Sequence, residues 1–176
     1  MDLKLIPHPD SRPAAVRFVT VQLFPETRGL RLTYIVEADP PHLVLPAPQK
    51  PYRADDLWQT TCFELFVRAE GETYQEFNFS PSSQWAAYSF EAYRRGREPL
   101  PLDEPPVVRC WEEPFGLLTS VWAPVELEAG ARLGCSAIIE EPDGPRSYWA
   151  VAHPAGEPDF HHPDCFQVEL PPPATP

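Results

Sequence analysis

Two glutamates and an asparagine occupy alternate positions in two neighbouring strand-like runs of the sequence. Glu64 lies in the first run, and Glu76 and Asn78 lie in the second. Trp58 precedes Glu64 by six residues. Acids and amides exchange hydrogen bonds with hydroxyl groups, and an aromatic ring stacks on the C–H face of a sugar. These residues fit either an ordinary solvated sheet face or a polar groove beside an aromatic platform, which is the combination that a sugar needs.

The polar side chains share a face only if the two runs pair in one register. The apolar positions of the runs are Phe63, Leu65 and Val67, followed by Phe77 and Phe79. Both apolar sets must face the core, because a slip of one residue would move one set into water. A three-residue loop, Glu70-Gly71-Glu72, satisfies this condition. It pairs Phe63 with Phe79 and Glu64 with Asn78, so the predicted hairpin gathers Glu64, Glu76 and Asn78 into one cluster.

The order of the motifs around this hairpin resembles the DOMON-like group of domains, which are related to the family-nine carbohydrate-binding modules. The motifs that carry the resemblance are Leu57-Trp58, Cys62–Phe66, Tyr74–Pro81, Trp85, Tyr88 and Tyr93–Gly96. The later motifs Ser147–Ala150, His153-Pro154 and Pro158–Pro163 resemble an uncharacterised bacterial branch of that group. The resemblance spans most of the chain and implies a β-sandwich, but this branch has no established activity to carry over.

The related modules hold a sugar between two aromatic side chains, with an acid six residues after the first Trp. Trp58 and Glu64 match that spacing, and the second aromatic position is filled here by Phe160 or His161 instead of Trp. The candidate ligand-binding residues are therefore Trp58, Glu64, Glu76, Asn78, Trp85, Arg94, Phe160 and His161. We expect a non-catalytic domain that binds a small polar ligand, with the sugar assignment resting on the resemblance.

Composition limits the classes of partner. The chain has 176 residues, 43% of them hydrophobic and 23% charged, which predicts one globular domain over residues 1–170 and a disordered proline-rich tail over residues 171–176. The formal net charge of −12 argues against nucleic acid and against an anionic membrane surface. The sequence shows neither a membrane-spanning apolar run nor a signal peptide, so we expect a cytoplasmic protein. Its oligomeric state is left open.

Proline content and strand patterns predict the fold. The 25 prolines disfavour helices and favour short strands between stiff loops. About ten alternating segments predict an antiparallel β-sandwich with two sheets of jelly-roll or immunoglobulin-like architecture. We expect an extended entry segment or a first edge strand within residues 1–12, a bulge near Phe18, and Trp111, Trp122 and Trp149 in or beside the core. We expect the four cysteines to be reduced thiols, since no two of them lie close together in the sequence.

Two enzymatic alternatives and two metal sites stay open at this stage. His153, Asp159, His161 and His162 crowd one loop and are weak candidates for a zinc site or a metal-assisted hydrolase. Asp55 and Asp56 are weak calcium candidates. Glu64 and Glu76 could act as the acid and base of a glycoside hydrolase. No catalytic fingerprint supports either enzyme.

Haem binding is a further alternative, because some DOMON domains bind haem through Met and His ligands. Met1 is the sole methionine in this chain. A Met/His haem site is therefore disfavoured, while a site with two histidine ligands stays open.

Overall fold

Antiparallel strands make up nearly all of the regular structure in the computed structural model, which describes residues 1–39, 41–69, 71–128, 130–142 and 146–170. The strands are β1 Asp2–Pro7, β2 Val16–Glu26, β3 Gly29–Ala38, β4 Cys62–Arg68, β5 Tyr74–Phe79, β6 Trp85–Phe90, β7 Glu98–Pro99, β8 Val107–Glu113, β9 Gly116–Ala123, β10 Arg132–Ile139, β11 Ser147–Ala150 and β12 Val168–Glu169. Two short 3₁₀ helices, Leu57–Gln59 and Pro163–Cys165, are the helical segments of the described residues. None is long and apolar enough to cross a membrane.

Eleven of these strands form one hydrogen-bonded path, in the order β7-β6-β5-β4-β10-β11-β1-β2-β3-β9-β8. β12 pairs with β10 beside this path. The path is continuous because β1 changes partner along its length. Its residues Asp2 to Leu5 pair with β2, and Ile6 and Pro7 pair with β11. The prediction of an edge strand at the N-terminus is therefore wrong: Pro7 ends the strand, so its missing N–H does not prevent pairing on both sides.

The sheet curls until strands far apart in its order meet across the core. The ring of Tyr34 on β3 lies 4.7 Å from the ring of Phe63 on β4, and the Tyr34 hydroxyl donates a 2.7 Å hydrogen bond to the Glu64 carbonyl oxygen. Both rings are fully buried, and each contributes about 1.5–3 kcal/mol through burial of its apolar area. The predicted all-β antiparallel fold is confirmed, in the form of one curled sheet.

The register predicted for the central hairpin is confirmed. β4 and β5 pair Phe63 with Phe79, and Glu64 with Asn78. Gly71 takes a φ of 94° in the connecting turn, where glycine has no steric penalty; Glu70 lies outside the described residues. The bulge expected near Phe18 is also confirmed, as a register shift between β2 and β3.

The tryptophans that were expected in or beside the core differ in their exposure. Trp149 is 2% exposed, which confirms its prediction, whereas Trp111 is 45% exposed, so a core position for it is wrong. Trp111 lies on the outward face of β8, the last strand of the path, beyond which no other strand of the described chain pairs. All four cysteines are free thiols, as predicted. The tail predicted over residues 171–176 lies outside the described residues.

Candidate functional site

The candidate site lies on the outward face of the half-sheet formed by β6, β5, β4, β10 and β11. Strand alternation turns Phe66, Tyr74, Tyr88 and Phe90 away from the main core, and these rings form a second apolar cluster with the segment that follows β11. Gly134 of β10 allows that segment to lie directly on the sheet. A Cβ at this position would come within 3.0 Å of the Cys165 carbonyl oxygen, so a larger residue would push the covering segment away.

A cleft of about 540 Å³ remains between the sheet and the covering segment. Its floor comes from β4, β5, β6, β10 and β11, and its walls come from the 3₁₀ helix at Trp58, the turn after β6 and the segment after β11. The lining residues are Trp58, Glu64, Glu76, Tyr88, Phe90, Arg94, Arg97, Ile138, Tyr148, Glu157, Pro158, Phe160 and His161. The volume falls within the usual range of small-molecule sites, roughly 300–1,000 Å³.

Two glutamates lie in the floor of this cleft and are almost completely buried. Glu64 is 3% exposed and Glu76 is 7% exposed. Each has one carboxylate oxygen fixed by a neighbour: Ser136 Oγ donates to Glu64 Oε2 at 2.8 Å, and Asn78 Nδ2 donates to Glu76 Oε1 at 2.6 Å. The β4–β5 register makes the two glutamates diagonal neighbours on one face. Their carboxyl groups are thus oriented before any ligand arrives.

Burial sets the protonation of this pair. Loss of water, together with the negative charge of Glu76, raises the pKa of Glu64 to about 8, against the lowering effect of the Ser136 hydrogen bond. Burial also raises the pKa of Glu76, opposed by the Asn78 hydrogen bond and the charges of Arg97 and Arg94. Glu64 therefore holds its proton at neutral pH, and the floor offers a hydroxyl donor beside the acceptor oxygens of Glu76.

His161 borders the glutamates as a neutral ring. Its Nδ1 lies 2.9 Å from the Tyr74 hydroxyl, and its Nε2 lies 3.8 Å from Glu76 Oε2. Burial, reinforced by the positive charge of Arg94, lowers the pKa of His161 to about 4. A neutral imidazole makes no salt bridge, so the contact with Glu76 at neutral pH is between a carboxyl group and an uncharged ring.

Arg94 and Asp159 fasten the covering segment to the sheet. The Arg94 backbone takes a left-handed φ of 54°, which is costly for a residue with a side chain. Its guanidinium donates to Asp159 Oδ1 at 2.7 Å, and the Tyr93 hydroxyl and the His161 N–H also donate to Asp159. Burial alone would raise the pKa of Asp159, but the bonds from Tyr93 and Arg94 outweigh it and hold the pKa below its usual range.

The aromatic side chains of the cleft differ in how much of each ring is open. Trp58 is 46% exposed, whereas Phe160 is 8% exposed and packs between Tyr148 and His153, with ring centroids 6.2 Å from each. The Tyr88 ring is covered by the guanidinium of Arg97, 4.0 Å from its centroid. Among the side chains that line the cleft, Trp58 therefore presents the largest exposed aromatic surface.

Most of the candidate residues named from the sequence meet in this cleft. Those that line it are Trp58, Glu64, Glu76, Arg94, Phe160 and His161. Asn78 lies beneath, 1% exposed, and reaches the cleft only through its hydrogen bond to Glu76. Trp85 lies on the other face of the sheet and packs against the main core, because its pairing with Phe79 gives both rings the same inward phase.

Sequence reasoning missed several lining residues, chiefly Tyr88, Phe90, Arg97, Ile138 and Tyr148. Tyr88 and Phe90 alternate on β6, and that spacing would have placed them on the face opposite Trp85. No local signal identifies Ile138 and Tyr148, because they reach the cleft through the pairing of β10 with β4 and of β10 with β11.

The histidines proposed for metal binding are dispersed. His153 Nε2 lies 2.9 Å from the Ile6 carbonyl oxygen, and His162 Nδ1 accepts a 3.2 Å bond from the Asp164 N–H. Asp55, one of the calcium candidates, accepts from the Tyr88 hydroxyl. Within the described residues, no three His, Cys, Asp or Glu side chains are grouped to hold a metal ion.

Comparison with solved structures shows a likeness of fold. The fold is similar to the crystal structure of a putative carbohydrate-binding protein from Bacteroides uniformis, with a TM-score of 0.63 and 16% sequence identity. The match covers 94% of this chain and 84% of that protein. At this identity the likeness establishes a shared fold. No family model and no curated protein matches the sequence.

Proposed function

We propose that this protein is a non-catalytic binding domain for a small polar ligand, and that the ligand is a carbohydrate. The cleft beside Trp58 is the proposed binding site. The observation that carries the proposal is the exposed Trp58 ring on the wall of a cleft whose floor holds two buried, oriented carboxyl groups.

The chemistry of the floor fits hydroxyl groups. A sugar hydroxyl both donates and accepts a hydrogen bond, and the protonated Glu64 offers a donor while Glu76 offers an acceptor. The indole of Trp58 offers a flat surface for the C–H face of a pyranose ring. Because Phe160 is buried beneath Tyr148, we expect stacking on one side of the sugar only, and therefore modest affinity.

Two comparisons support the ligand class. The protein from Bacteroides uniformis that shares the fold is a putative carbohydrate-binding protein. The sequence motifs resemble DOMON-like domains and family-nine carbohydrate-binding modules, and Trp58 and Glu64 match the spacing of their first aromatic and acid. That resemblance also supports treating the two facing halves of the curled sheet as the sheets of a sandwich.

Calorimetric titration with a panel of monosaccharides and oligosaccharides tests the proposal. We expect saturable binding to at least one sugar, reduced by about tenfold or more in Trp58→Ala, since the stacking surface is lost. Tyr52→Ala is the matched control, because Tyr52 lies in the same loop, is 49% exposed, and does not line the cleft. No binding by any sugar, or equal losses in both variants, would contradict the proposal.

A glycoside hydrolase is a second candidate, favoured by the buried Glu64 and Glu76 pair. A carboxylic acid that keeps its proton at neutral pH beside a second carboxyl group resembles the acid and base of such enzymes. Chromogenic glycosides distinguish the two functions. Release of the leaving group by the wild-type protein, lost in Glu64→Gln and Glu76→Gln, would favour the hydrolase, while sugar binding without release favours the binding domain.

A further inference from the structure

The two edges of the curled sheet differ in their capacity to pair with another strand. β7 has two residues, Glu98–Pro99, and its proline has no N–H to donate. β8 has seven residues, Val107–Glu113, without proline. It pairs with β9 on one side, and no other strand of the described chain pairs with it. Its free backbone groups are a template for a further strand.

The outward face of β8 carries an ordered pattern of side chains. Val107 and Trp111 are 44% and 45% exposed, and Phe115 in the following turn is 40% exposed. Arg109 and Glu113 alternate with Val107 and Trp111 on the same face of β8. The order along the chain is apolar, positive, aromatic, negative, apolar. This order is symmetric about Trp111 except that the two charges have opposite signs.

We propose that β8 pairs antiparallel with β8 of a second copy of this chain, with a two-fold axis at Trp111. In this register Arg109 of each copy lies opposite Glu113 of the other, and the two Trp111 rings face each other. Val107 of each copy lies towards the β8–β9 turn of the other, in which Phe115 is exposed. The exposed apolar side chains of this edge thus find apolar partners, and its charges find opposite charges.

Neighbouring registers lack this complementarity. When the pairing slides by two residues in either direction, neither Arg109 nor Glu113 comes opposite a charge of the opposite sign. When it slides by four, Arg109 faces Arg109 or Glu113 faces Glu113, and like charges directly opposite each other destabilise a strand pair. The charges that would otherwise protect an edge strand from pairing here select one partner and one register.

The interface joins two copies along β8, and no residue of β8 lines the cleft. β8 is at one end of the strand path, and β4, β5 and β6 of the cleft are near the other. Dimerisation therefore leaves both clefts open, and the inference is independent of the proposed sugar binding. Exposed ion pairs contribute little singly, so the dimer is expected to exchange with monomer rather than to be permanent.

Sedimentation velocity over a concentration series tests the interface. We expect the wild-type protein to pass from monomer to dimer with rising concentration. Arg109→Glu and Glu113→Arg should each weaken association by about tenfold or more, because the two-fold axis makes both ion pairs repulsive at once. An equimolar mixture of the two variants should form a heterodimer, and the double variant should associate again. Arg12→Glu, an exposed residue far from β8 in sequence, controls for the charge change.

A crosslink tests the register separately. Trp111→Cys should give a disulfide-linked dimer under mild oxidation, because residue 111 lies on the proposed two-fold axis. A disulfide between the native Cys110 residues of two copies would place the axis at residue 110 and would overturn the proposed register. A wild-type protein that stays monomeric up to about 1 mM, where even a weak specific contact is populated, overturns the interface. A dimer whose association is unchanged in both Arg109→Glu and Glu113→Arg also overturns the interface. Unaltered thermal unfolding confirms that each variant is folded.

Discussion

The two outward faces of the curled sheet follow the same strand alternation but have different environments. On the half that contains β4, β5 and β6, the segment after β11 covers the sheet, and Phe66 is 1% exposed. On the half that contains β2 and β3, the described chain provides no such cover, and Phe18 is 42% exposed. A residue on an outward strand position thus becomes part of a core or part of the surface according to a segment far away in sequence.

This difference explains where chemistry is concentrated. Glu64 on the covered face loses its water and keeps its proton, while Glu37 on the open face stays exposed. Perturbed carboxyl groups in a cleft are typical of functional sites. The covering segment therefore makes the candidate site, because it supplies the burial that strand pairing alone does not.

Replacing one phenylalanine on each face should give the largest difference in stability between the covered and the open face. Phe66→Ala should lower the free energy of unfolding by about 3–5 kcal/mol, since it leaves a cavity beneath His161 and Phe166. Phe18→Ala should cost under about 1 kcal/mol, because its ring is partly in water and lies under the Lys4 ammonium. Urea unfolding measures both. Equal losses would show that the covering segment does not create a second core.

The pH dependence of stability should also differ between the faces. The pKa of Glu64 is near its ordinary value of 4.5 in the unfolded chain and is raised by burial to about 8 in the folded protein. Between these values the folded state holds the additional proton, so the free energy of unfolding should fall as pH rises from about 4.5 to about 8 and then level off. In Glu64→Gln this part of the fall should disappear.

Glu37→Gln is the matched control for that experiment, because its carboxylate is exposed on the open face. Its stability profile should keep the wild-type slope. Chemical denaturation at a series of pH values gives both profiles. A Glu64→Gln profile that is parallel to the wild-type profile would show that this carboxyl group is ionised in the folded protein.

Breaking one salt bridge on each face should give a smaller difference in stability. Asp159→Asn should cost about 1–2 kcal/mol, because Asp159 accepts bonds from Arg94, Tyr93 and His161 and its side chain is only 16% exposed. Asp39→Asn should cost less than about 0.5 kcal/mol, because the Arg17–Asp39 pair is more than 60% exposed on both sides. Thermal unfolding measures the loss of stability in each variant. A larger loss in Asp39→Asn than in Asp159→Asn would contradict the prediction.

The sequence allowed the central hairpin to be predicted to the residue. The apolar phases of β4 and β5 and the glycine turn left one register, and the structure has it: Glu64 pairs with Asn78. The same reasoning failed for Trp85. Ala86 and Ala87 follow it and contribute little contrast between faces, so only Tyr88 and Phe90 mark the outward phase of β6, and Trp85, at the opposite phase, was placed on the wrong side.

Other parts of the site depend on contacts distant in sequence. β10 lies against β4 with about seventy residues between them, as the Ser136 to Glu64 hydrogen bond shows with its separation of 72 residues. Nothing in a local pattern specifies that partner. The exposure of Trp111 was missed for a related reason, since a strand at the edge of the sheet carries the same alternation as a strand inside it.

The change of partner along β1 has a consequence for synthesis on the ribosome. β1 begins at Asp2, but its last residues pair with β11, at Trp149 and Ala150. The early hairpin of β2 and β3 can form as soon as it emerges, whereas the seam between the two halves must wait until almost the whole domain has left the exit tunnel. During that interval the far side of β1 is an unpaired edge, and the nascent chain is most exposed to misassembly there.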